Sequence, residues 1–426
     1  MKTKLLCLLM FAVCSLQSSA EWDYLITGGT VIDGTGRPGR IADVAIHEGR
    51  VAAVGSDLGA AKRIIHAQGR VVAPGFIDVH THSEDICKLP AAENFLRMGV
   101  TTIITGNCGG SETDVKAFFE KAEATGIGVN LATLIGHNSV RKKAMNGSFR
   151  RAPSAEQMEA MKGLVDRAMA EGAVGLSTGL IYNPGSFSKT DEVLELARVA
   201  ARHDGVYVSH IRHETVKIFD AIEEFLAIAR GAQIRGQLSH IKLTGPTAWG
   251  KAAEVLAALD RARAEGLKIT HDQYAYTASS TGLAQLIPDA AREGTREDYK
   301  RRIEDPETKA KIIEQMHGMR ERLGREDYAY AVIARYPADP ELNGKNLREA
   351  ALLRRGSDSL AEQIELILEI EAKGGGSAVF HGMHEDDLQV FMRHPLTMVA
   401  SDGGPRESGV AGPHPPSDGN NARARG

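Results

Sequence analysis

From Pro74 onward the chain keeps one rhythm, and that rhythm leaves few folds open. Strand-length apolar runs end near His82, Cys108, His137, Ser177, His210, His240, Asp272 and Ala400. Helical stretches lie between several of them, and Gly172, Gly205 and Gly266 stand where a helix should stop before the next strand. The stretch "SAEQMEAMKGLVDRAMAEG" shows such a helix: Ser154 and Gln157 form a capping box. Met158, Met161, Leu164, Val165, Ala168 and Met169 share one of its faces. Strand, helix, glycine, strand is the pattern of a parallel sheet, and eight such strands predict an α/β fold, a closed (β/α)8 TIM barrel. The run "GSAVFHGM" also has strand character, so nine runs compete for eight places.

The segments around this rhythm differ from it. Residues 21–73 alternate short apolar runs with Gly-Gly, Asp-Gly and Glu-Gly turns, which predicts hairpins in a small antiparallel sheet, part of an N-terminal β-sandwich. The barrel then runs over 74–284 and resumes over 376–411. Asp272 and Asp402 are 130 positions apart, against roughly thirty for an ordinary strand-to-strand step, so residues 285–375 read as an inserted helical lid or small domain.

Residues 1–20 read as a secretory signal peptide: Lys2 and Lys4, an apolar stretch from Leu5 to Val13, then Ser18-Ser19-Ala20. The expectation is an exported protein, periplasmic or secreted. That stretch is shorter than the ~20 apolar residues of a membrane-spanning helix, so no membrane span is expected. Lys and Arg number 51 against 55 Asp and Glu, a formal charge of −4, which gives no footprint for nucleic acid.

The chemistry sits at the strand ends. His80 and His82 close the first strand, two positions apart and therefore on one face. Cys108 closes the second in "TGNCGG", His210 the fifth in "YVSHIRHE", His240 the sixth in "GQLSHIKL", and Asp402 the last in "VASDGG". A parallel barrel brings all C-terminal strand ends to one face. Imidazole, thiolate and carboxylate donors meeting there suit zinc.

With these motifs in place, the chain resembles the amidohydrolase superfamily, and within it the N-acyl-D-amino-acid deacylases, or D-aminoacylases. The likeness rests on "GFIDVHTH" (Gly75–His82), Asn107–Gly109, Ser209-His210, Ser239-His240 and Ser401–Gly403, and spans roughly Glu21 to Gly404. It implies a zinc-dependent hydrolase of the amide bond of N-acyl-D-amino acids, with a small-molecule substrate as partner. It implies one tight zinc ion (Zn2+) on Cys108, His210 and His240, and a second, weaker position formed by His80, His82 and Asp402. Asp402 would be the catalytic acid/base, and Lys242, Tyr274 and Ser280 the substrate contacts. The sequence leaves oligomeric state open.

Other readings compete. In an exported protein Cys87 and Cys108 could form a disulfide, which would remove the thiolate ligand. "GLSTG" (Gly175–Gly179) satisfies the nucleophile-elbow pattern of serine hydrolases, but that elbow needs a helix at once, and Pro184 and Gly185 follow instead. His137, His213, His384 and His394 read as structural or surface residues. A cyclic-amide hydrolase of the hydantoinase or dihydroorotase kind would share the fold. Finally, residues 412–426 read as an aberrant disordered tail. The family continues with His-Pro-Arg where this chain has His414-Pro415-Pro416, so a frameshift or truncation near Pro415, leaving a catalytically impaired zinc-binding remnant, is the last alternative.

Overall fold

A computed structural model describes residues 21–147 and 149–407. The expected signal peptide (1–20) and aberrant tail (412–426) lie outside the described residues. The chain divides after Gly75 into two compact units.

In the first unit, Trp22–Val31 is the central strand of a five-stranded sheet. It pairs antiparallel with Arg40–His47, which pairs antiparallel with Arg50–Gly55. The expected hairpins end there. Ala61–His66 and Val71–Val72 pair parallel to the first strand, so the sheet is mixed rather than antiparallel. The reason is a crossover: the third strand lies at the sheet edge, and the chain passes back to the free side of the first. Leu25, Ala42, Val44 and Ala45 are buried, whereas Ile41, Val51, Ile64 and Val71 are exposed.

In the second unit eight strands follow one another in chain order. They are Phe76–Asp78, Val100–Thr105, Asn130–Thr133 continued by Ile135–Gly136, Gly175–Gly179, Val206–His210, Arg235–Leu238, Ile269–Gln273 and Thr397–Val399. Every neighbouring pair among them is parallel. The third strand breaks at Leu134, whose amide still donates to Thr105 O at 2.9 Å. Between the eighth and the first strand a parallel bridge joins Thr81 and Gly403, and His82 N donates to Gly403 O at 2.7 Å. Backbone contacts thus run round the full ring of a TIM barrel.

Amphipathic helices cover the ring. Ala155–Ala170 starts at Ser154 with both halves of the capping box made, a device that contributes about 1 kcal/mol. It buries Met161, Val165, Ala168 and Met169, and Met158 and Leu164 pack at the margin. Full burial of a side chain such as Met161 contributes roughly 1.5–3 kcal/mol.

Between the seventh and eighth strands the chain builds a separate α+β subdomain. Ser377–Phe380 is the middle strand of a three-stranded antiparallel sheet, flanked by Ser279–Gly282 and Ala331–Arg335. Helices Pro306–Arg322, Leu347–Arg355 and Leu360–Ala372 belong to it, around a core that includes Met316, Tyr328, Ile333, Ile367 and Phe380. The ninth strand-like run, "GSAVFHGM", is therefore the middle of this sheet, and the barrel keeps eight. Among the described residues, no helix is long and apolar enough to cross a membrane.

Candidate metal centre

Six donors meet at the C-terminal mouth of the barrel. Cys108 Sγ lies 3.6 Å from His210 Nδ1, 3.6 Å from His240 Nε2 and 3.4 Å from His80 Nε2. Asp402 Oδ1 lies 3.1 Å from His82 Nε2 and 3.4 Å from His80 Nε2. Three overlapping donor triplets result: Cys108 with His210 and His240, His80 with His82 and Cys108, and His80 with His240 and Asp402. A tetrahedral zinc with Zn–S of about 2.3 Å and Zn–N of about 2.05 Å sets sulfur and nitrogen about 3.5 Å apart. The first triplet has that spacing. The residues fit the ion.

The backbone is bent to aim these donors. Cys108, His240 and Asp402 all take positive φ, at 52°, 31° and 52°. Non-glycine residues rarely do so, and such conformations gather at functional sites. The turn carrying Cys108 is the most constrained. Gly106 has φ 80°, and a Cβ there would clash with Leu134 O. Gly109 has φ 78°, and a Cβ there would clash with Asn138 Oδ1. Ser177 Oγ donates to Gly106 O and accepts from Gly109 N at 3.1 Å. The serine of "GLSTG" is thus a fully buried brace within a strand, not a nucleophile on an elbow. Cys87 and Cys108 are both free thiols, so the disulfide does not form.

Charge is arranged to match. Burial pushes the Cys108 thiol up, but the charge of His80 and hydrogen bonds from His210 and His240 hold it well below the usual thiol range. For Asp402, burial is likewise outweighed by the charge of His80 and a hydrogen bond from His82, so its carboxyl sits well below the usual range. A thiolate and a carboxylate are the forms that ligate metals. Asp78, beneath them, accepts from His80 N at 3.2 Å and Ser401 N at 3.1 Å, and burial lifts its carboxyl to about 6.

A cavity of about 830 Å³ opens over the donors, lined among others by His82, Cys108, Tyr182, His240, Ser280 and Asp402. Of the expected substrate contacts only Ser280 lines it. Lys242 is 4% exposed and its ammonium donates to Glu214 Oε1 at 2.6 Å, 2.7 Å from His240 Nδ1. Tyr274 is fully buried, its ring 6.3 Å from that of His240 and 5.8 Å from Lys242 Nζ. His137 is buried and pairs with Glu192 at 2.8 Å, a structural role.

Three residues at the centre carried no signal strong enough to single them out. Asp272 Oδ1 lies 3.1 Å from His80 Nδ1 and accepts from His240 N at 2.9 Å. Tyr182 lines the cavity with its ring 4.8 Å from that of His210. Glu214, four positions after His210 in "SHIRHE", faces His210, His240 and Lys242 together. That spacing from a strand-end histidine was the available clue.

Known proteins share this arrangement of chain. Residues 63–342 match the profile of the Amidohydrolase family. An N-acyl-D-glutamate deacylase of Alcaligenes xylosoxydans xylosoxydans is 35% identical over 418 residues, covering 92% of this chain and 75% of its own. A D-aminoacylase of the same organism is 31% identical over 427 residues, covering 94% and 78%. The crystal structure of N-acyl-D-glutamate deacylase from Bordetella bronchiseptica, complexed with zinc and a phosphonate inhibitor that mimics the tetrahedral intermediate, is 33% identical. It superposes with a TM-score of 0.74 over 90% of this chain and 76% of that one.

Proposed function

Because this chain belongs to the amidohydrolase family, we propose that it hydrolyses the amide bond of N-acyl-D-amino acids, releasing a carboxylate and a D-amino acid. One observation carries the reading: a thiolate sulfur 3.6 Å from both His210 Nδ1 and His240 Nε2, with the carboxylate of Asp402 on the same cavity. Cys108, His210 and His240 would hold a tight zinc ion, and His80, His82 and Asp402 a second, weaker position. Bound there, zinc activates water at neutral pH and polarises the amide carbonyl.

The chain's own residues do the rest. Asp402 takes the proton of the attacking water and returns it to the leaving amine nitrogen. Tyr182 walls the cavity beside these donors, its ring 4.8 Å from that of His210. Ser280 brings the inserted subdomain to the cavity wall and contacts the substrate. For the first twenty residues, the proposal is export, resting on Lys2, Lys4 and the apolar stretch from Leu5 to Val13.

Purified protein, assayed with both enantiomers of N-acetylated methionine and glutamate and with a hydantoin, tests the reading. Turnover confined to the D-amides supports it. Turnover of the hydantoin alone, or of both enantiomers equally, sinks it. Fractionation of a producing cell, with mass analysis of the mature N-terminus, checks export: retention in the cytoplasm with residues 1–20 attached refutes that part.

A further inference from the structure

We infer that Glu214 is the carboxylate that aims the His210 imidazole of the thiolate–imidazole set, a positioning residue for the metal. This rests on the metal-hydrolase reading above.

The two rings are presented in opposite senses. His210 turns Nδ1 towards the thiolate sulfur and His240 turns Nε2, each at 3.6 Å. The nitrogens left over meet different partners: Lys242 Nζ, which can only donate, lies 2.7 Å from His240 Nδ1, whereas His210 Nε2 faces the carboxylate of Glu214. Glu214 Oε1 lies 3.4 Å from His210 Nε2 and 3.5 Å from His240 Nδ1. A ring that gives one lone pair to a metal carries its proton on the other nitrogen, and that N–H requires an acceptor. For His210 the need is plain, because Nε2 is buried and makes no hydrogen bond with any described residue. Glu214 Oε1, at 3.4 Å, is the carboxylate oxygen set against it.

Glu214 is held for the task. Its backbone carbonyl accepts from Thr244 N at 2.7 Å, tying the loop after the fifth strand to the chain after the sixth. Lys242 Nζ donates to Oε1 at 2.6 Å, which supplies the counter-charge that a carboxylate 8% exposed requires. Lys242 thereby acquires a role at the metal centre through Glu214. Asp272 serves His80 from the seventh strand in the same way.

The test is zinc affinity by chelator competition for wild type, Glu214→Gln and Glu214→Asp, with the optical spectrum of the cobalt-substituted proteins. Glu214→Gln should bind zinc about ten- to a hundredfold more weakly and shift the cobalt d–d bands. Glu214→Asp, a methylene shorter, should recover part of both. Folded Glu214→Gln with wild-type affinity and an unchanged cobalt spectrum overturns the inference. If Glu214→Gln does not fold, the double variant Glu214→Leu/Lys242→Met removes the carboxylate without stranding a charge. Undiminished affinity there overturns it equally. Wild type that binds no zinc would instead overturn the reading on which the inference stands, and the inference with it.

Discussion

His80 Nδ1 lies 3.1 Å from Asp272 Oδ1, a contact between residues 192 positions apart in the chain. The other oxygen of Asp272 accepts from Gln237 Nε2 at 2.6 Å, so the carboxylate is fixed from two sides. Removing its charge should loosen His80, which faces both Cys108 and Asp402. Asp272→Asn should lower kcat/KM on an N-acyl-D-amino acid by roughly ten- to a hundredfold, the usual cost of losing the partner of a ligating histidine. Steady-state kinetics at wild-type levels would show that Asp272 does not orient the site.

Asp402 separates chemistry from metal holding. It belongs to the triplet with His80 and His240 but not to the one with Cys108, His210 and His240. Asp402→Asn should therefore keep the tight ion while losing about 10²- to 10⁴-fold in kcat, the scale of a general acid–base group. Metal analysis beside turnover reads both. Loss of all zinc in this variant would show that the two sets do not act separately.

Cys108 should show opposed effects on stability and function. Its φ of 52° suits glycine better than a residue with a Cβ. Cys108→Gly should be more stable than Cys108→Ala by about 1 kcal/mol, the penalty of left-handed backbone, while both lose the tight ion. Urea denaturation of the metal-free pair measures the difference. Equal midpoints and slopes would mean that the turn carries no strain at this residue.

His271 links acid pH to stability away from the cavity. Arg263 Nη2 can only donate, so it fixes Nδ1 as the acceptor at 3.0 Å, and Nε2–H faces Thr397 Oγ1 at 2.7 Å. Burial, with the charges of Arg263 and His394, lowers this imidazole to about 4 from an ordinary 6.5. Between those values the unfolded chain binds the proton and the folded chain does not. Stability is therefore lost as pH falls from 6.5 towards 4, by up to roughly 3 kcal/mol. Asp78, raised to about 6, acts in the opposite sense below that pH, so the measurement is a comparison. Denaturation from pH 7 to 5 should show that His271→Asn loses less stability on acidification than wild type does. Parallel curves would discount His271.

The strand-end donors were legible because a parallel barrel sends every C-terminal strand end to one face. Rhythm and residue type then suffice to bring His80, His82, Cys108, His210, His240 and Asp402 together. Loops carry no such rule. Tyr182 and Glu214 follow the fourth and fifth strands, where nothing periodic fixes direction. Lys242 and Tyr274 were located by spacing from His240, and spacing does not report burial: both side chains are buried. The parallel pairing of Ala61–His66 was hidden because a crossover between strands leaves no mark in hydrophobic pattern. "GSAVFHGM" competed for a place in the barrel because a central strand in a small sheet is as apolar as one in a barrel.

The ring that joins Thr81 to Gly403 also sets an order in time. A chain leaving the ribosome has made Cys108, His210 and His240 by position 240, yet Asp402 follows only 162 residues later. The first barrel strand therefore waits for its closing neighbour until nearly the whole polypeptide has been made.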